Sequence, residues 1–107
     1  MDQEFIARRT ATRMHAAETG VEDAAIKVSA LLAELYEAKK ELGLAGTVAA
    51  EETARVGRAL SLLQDAHAEL VGTHHGLSAI ARLLKIPVKM IGWKPSSAVR
   101  VGNISAA

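Results

Sequence analysis

The amino-acid sequence predicts an all-α protein: an antiparallel helical hairpin that self-associates into a helical bundle and ends in a C-terminal tail. Three observations carry this reading. Val56, Leu60, Leu63, His67, Leu70, His74, Leu77, Ala81 and Leu84 follow an unbroken alternation of four and three, the seam of a coiled coil. Val21, Ala25, Val28, Leu32, Leu35 and Leu42 keep the same rhythm earlier in the chain, with Lys39 filling the one gap. Between the stripes, Gly43-Leu-Ala-Gly46 offers a glycine suited to a left-handed helix stop, and Thr47 a residue suited to cap the next start. Phe5, Tyr36 and Trp93 are the only aromatics, so the core is left to Leu, Ile, Val, Met and Ala, which suits close helix packing better than a β-sandwich.

The first helix is expected over about residues 3–42, a stretch without proline. Gly20 interrupts it, and Thr19-Gly-Val-Glu22 reads as a capping box; one long element, bent or broken near Gly20, is the reading adopted. A four-residue loop then implies an antiparallel partner, expected over about 48–85. Pro87 ends it, because a residue before proline is pushed out of the α region. A second line, Ala59, Ala66, Thr73 and Ile80, runs beside the seam. Two apolar lines on one helix call for more than one neighbour, and dimerisation into a four-helix bundle supplies it. Glu51 with Arg55, and Asp23 with Lys27, decorate solvent faces in the favourable four-apart order. Residues 1–86 thus form the hairpin domain, and 87–107 a basic tail too apolar for a simple linker.

The formal net charge of +1 hides a division. Residues 1–69 carry eight basic and twelve acidic side chains, whereas the rest carry Arg82, Lys85, Lys89, Lys94 and Arg100 with no carboxylate. Such an end meets something negative: nucleic acid, an anionic membrane, or the acidic half of another copy. Cysteine is absent, which excludes disulfides, thiolate nucleophiles and Cys-ligated zinc, and makes a reducing, cytoplasmic setting the default. The N-terminus lacks the pattern of a signal peptide, and no run is long enough for a membrane span.

Little in the chain points to catalysis. Gly-x-Ser-x-Gly, the phosphate-binding Gly-x-x-x-x-Gly-Lys and the dinucleotide fingerprint are all missing, so neither an enzyme nor a cofactor is expected. His67 and His74 stand seven apart in the seam, too far along one helix for a single ion; a metal would need a ligand from a second helix or subunit, and His15 is the only imidazole on the first helix. As seam residues they tune register or pH response. His75-Gly-Leu-Ser-Ala-Ile resembles the histidine box of sensor kinases, though without the acidic neighbour and the proline of that family; the resemblance implies histidine phosphotransfer, which with a metal-binding bundle is the third alternative for the function. Residues 77–93 resemble the core of a helix-turn-helix: Ala81, Leu84, Ile86 and Ile91 fall at its packing positions, while Lys85 stands where the turn usually has glycine and Gly92 and Pro95 shorten the second helix. That resemblance implies a small nucleic-acid-binding regulator, the alternative to the favoured expectation of a non-enzymatic assembly or adaptor protein. In the favoured reading Val56, Leu60, Leu63, His67, Leu70, His74, Leu77 and Leu84 form the oligomer seam. Arg82, Lys85, Lys89, Trp93, Lys94 and Arg100 then meet a partner, with Trp93 as the anchor.

Overall fold

Helix α1 spans Gln3–Glu41 and helix α2 spans Ala50–Leu83 in the computed structural model, which describes residues 2–86. This is the all-α helical hairpin that the two stripes predict. The tail 87–107, with Lys89, Trp93, Lys94 and Arg100, lies outside the described residues.

α1 opens on a cap that the periodicity did not reveal: Asp2 Oδ1 accepts a hydrogen bond from the Glu4 amide at 3.3 Å, meeting one of the donors a helix start leaves unpaired. The helix then runs through Gly20 without a break. A mid-helix glycine costs roughly 0.5–1 kcal/mol relative to alanine, which the apolar residues on either side outweigh.

α1 stops as Gly43 forecasts. Its φ is +67°, its amide reaches the Lys40 carbonyl at 3.1 Å, and the Leu44 amide reaches that of Lys39 at 2.9 Å: the paired bonds of a Schellman cap. Lys39, the gap in the apolar stripe, lays its chain along the helix end. Its Nζ donates to the Gly46 carbonyl at 3.0 Å and lies 5.3 Å from the centre of the Tyr36 ring.

α2 begins two residues later than expected. Residues 46–49 form a turn, and Ala49 takes a left-handed φ of +59° before the helix starts at Ala50. Thr53, the one buried polar residue among those described, is satisfied by donating its hydroxyl to the Ala49 carbonyl at 2.8 Å. The Arg55–Glu51 pair forms at 3.1 Å, with both side chains largely in solvent. α2 ends at Leu83, two residues early, in a second Schellman cap. Lys85 has φ +59°, its amide bonds the Arg82 carbonyl at 3.0 Å, and the Ile86 amide bonds that of Ala81 at 2.9 Å.

Packing divides the hairpin into two units, residues 2–15 with 73–86, and residues 16–72. The first holds the tightest core: Ala11, Ala81 and Ile86 are buried together, with Ala7 and Leu77 against them. Small residues let two helix backbones approach here, and Ile86 folds back through its cap onto Ala81, the apolar contact that accompanies this motif. Ile86 thereby takes the last place of the seam. Leu84, expected there, is 52% exposed. In the second unit Val21, Ala25, Val28, Leu32 and Leu35 of α1, and Val56, Leu60, Leu63 and Leu70 of α2, are half-buried rather than buried. Leu42, expected to face the seam, lies past the last helical residue and is 71% exposed.

Candidate functional site

The fold collects charge more sharply than the sequence does. In the first unit Arg8, Arg9 and Arg13 of α1 join Arg82 and Lys85, so that its described residues carry five basic side chains against Asp2 and Glu4. The second unit carries five basic and ten acidic side chains. The N-terminal arginines thus belong with the basic end, which the split at Glu69 could not show, because only the hairpin returns the N-terminus to the chain's far end.

Both units leave large apolar side chains uncovered. In the first, Ile6, Ala7, Leu77, Ile80, Leu84 and Ile86 line an open groove; Ile80 is 51% exposed. In the second, Val21, Ala25, Ile26 and Leu63 line another, beside His67 and Glu22. Leu62 and Ile26 are each 68% exposed. The second line on α2, Ala59, Ala66, Thr73 and Ile80, is exposed throughout. Arg82 and Lys85, expected at a partner surface, are also exposed.

The four histidines separate into two groups. His67 Nε2 lies 3.7 Å from Glu22 Oε1 across the second unit, its side chain 41% exposed, so it stands at the margin of the seam. In the first unit His15 and His74, from different helices, meet edge to face with ring centres 5.7 Å apart. His75 is exposed, with its ring centre 6.2 Å from that of His74. His15 Nε2 is buried and has no hydrogen-bond partner. The sequence offered His15 only as the imidazole on the other helix; the fold brings it against a seam histidine.

No protein family, curated protein or solved structure matches the chain. Among the described residues no helix is long and apolar enough to cross a membrane.

Proposed function

We propose that this chain is a non-enzymatic assembly protein whose hairpin pairs with a second copy to complete a helical bundle, and whose basic C-terminal segment docks a partner. The observation that carries the reading is the imbalance of apolar surface. Among the described residues only Ala11, Met14, Ala81 and Ile86 are buried apolar side chains, while twelve large ones are at least 40% exposed, more than a hairpin standing alone leaves to water. Charge selects the second copy as occupant and sets its direction. The basic first unit of one hairpin complements the acidic second unit of another, and an antiparallel two-fold pairing brings both such contacts together. The exposed side of α2, where Leu62 and Ile80 are bulky and uncovered, is the face assigned to that contact.

A second reading, a small nucleic-acid-binding regulator, is favoured by one feature. Lys85 adopts the left-handed conformation that the turn of a helix-turn-helix gives to glycine, immediately after a helix bearing the small Ala81 and the basic Arg82. Light scattering at low and high salt, with and without duplex DNA, tests both readings. The assembly reading expects a dimer at tens of micromolar protein, weakened by salt and indifferent to DNA. A monomer that is folded at that concentration overturns it, and a complex with duplex that dissolves log-linearly with salt establishes the second.

A further inference from the structure

We propose that His15 and His74 form a two-imidazole site for a borderline divalent cation of the zinc type, clamping α1 to α2 within the first unit. The ring separation is the first support. With a metal–nitrogen distance of about 2.1 Å and roughly 1.2 Å from a ring nitrogen to the ring centre, two imidazoles on one tetrahedral ion place their centres roughly 5–6 Å apart. The observed 5.7 Å falls in that range, so the two helices already hold the rings at the spacing a shared ion requires. The second support is the orphan nitrogen. A buried imidazole nitrogen without a partner forfeits a hydrogen bond, and a group left so in a folded protein asks for an unseen partner. A cation on His15 Nε2 is such a partner, and imidazole pairs select zinc, nickel or copper over calcium or magnesium.

The ligands come from two helices, which removes the objection that seam histidines seven apart cannot share an ion. Among the described residues no cluster of three metal-binding side chains occurs, so water fills the remaining positions. A site with two protein ligands binds less tightly than a closed structural one. Its effect is mechanical: an ion that binds only the folded hairpin fastens the ends of the two helices by mass action.

Chelator-treated full-length protein titrated with zinc chloride tests this. Calorimetry is expected to show saturable binding of one ion per chain, with the thermal midpoint rising by a few degrees at saturation. His15→Gln and His74→Gln each weaken binding at least ten-fold and abolish the thermal shift, whereas His67→Gln, which removes a seam histidine of the other unit, leaves both unchanged. In wild type, proton NMR should show the His15 and His74 ring resonances shifting together while those of His67 stay in place, a readout independent of any variant's folding. Absence of saturable uptake, equal loss in His67→Gln, or ring shifts that spare His15 overturns the assignment.

Discussion

Replacing Leu62 or Ile80 by glutamine separates the stability of the hairpin from the stability of its assembly. Both side chains face away from the seam, 68% and 51% exposed respectively, so within a single hairpin they contribute little to folding, and glutamine is a good helix former. In the proposed bundle they are covered. Burying a whole leucine or isoleucine side chain contributes about 1.5–3 kcal/mol, so covering the exposed two-thirds of Leu62 gives about 1–2 kcal/mol, and the exposed half of Ile80 about 0.8–1.5 kcal/mol. A two-fold dimer carries each substitution twice. Leu62→Gln therefore weakens dimerisation by about 2–4 kcal/mol, roughly 30- to 1000-fold in Kd, and Ile80→Gln by about 1.5–3 kcal/mol, roughly ten- to 150-fold. Sedimentation equilibrium measures the constants, and far-UV circular dichroism at matched concentration checks that the helices persist. Leu63→Glu is the contrast. Leu63 is half-buried and shares a groove with Val21 and Ala25, so a carboxylate there costs helix content as well as association. Variants at Leu62 and Ile80 that dimerise as tightly as wild type refute the assignment of this face.

Three further outcomes are open to measurement. Lys85→Gly should stabilise the protein by about 0.5–1 kcal/mol, because a side chain in the left-handed region costs about 1–2 kcal/mol and glycine's greater unfolded-state freedom returns part of that; Lys85→Ala isolates the backbone effect, and urea midpoints in which glycine is no better than alanine contradict the strained cap. Gly76→Ala meets open space in the hairpin and should stabilise it by about 1 kcal/mol, yet weaken self-association if a second backbone approaches this face closely, a pair of effects that thermal melts over a hundred-fold range of concentration resolve. For the tail, the docking reading expects Trp93→Ala to impair partner capture more than charge reversal at Lys89 or Lys94, with little salt dependence, whereas nucleic-acid binding reverses that order and brings a steep salt slope in a retention assay.

Much of the fold was legible because a seam with one period leaves one helical solution, and because Gly43 is the residue a left-handed stop requires. The ends of α2 were misplaced by two residues each, for a shared reason. Ala49 and Lys85 both adopt left-handed backbone that their side chains disfavour, so no residue type announced the turn. At Gly20 the opposite happened: a local break signal lost to apolar contacts on both sides, since one mid-helix glycine costs less than those contacts contribute. The uncovered second line of α2 was visible in the sequence as an excess of apolar residues. Periodicity marks such a face as apolar and never names a partner for it.

The histidine pairing lay within reach of the sequence through the register of the hairpin. Midway between Leu44 and Ala45, the loop centre is as far from His15 as from His74, and as far from Glu22 as from His67; both pairs meet across the helices. A strict seam with a short loop thus fixes which residues face each other, and two imidazoles equidistant from the turn are brought together by chain geometry alone. The seven-residue spacing on α2 drew attention to His67 and His74 as a pair, but helical rise keeps those two about 10 Å apart. Their partners are across the hairpin, and they differ: a carboxylate for His67, an imidazole for His74. The first is a 3.7 Å approach of an imidazole nitrogen to a carboxylate, while the second leaves the buried His15 Nε2 without a hydrogen bond. That orphan nitrogen is why the proposed ion is placed between His15 and His74 in the first unit and not at His67.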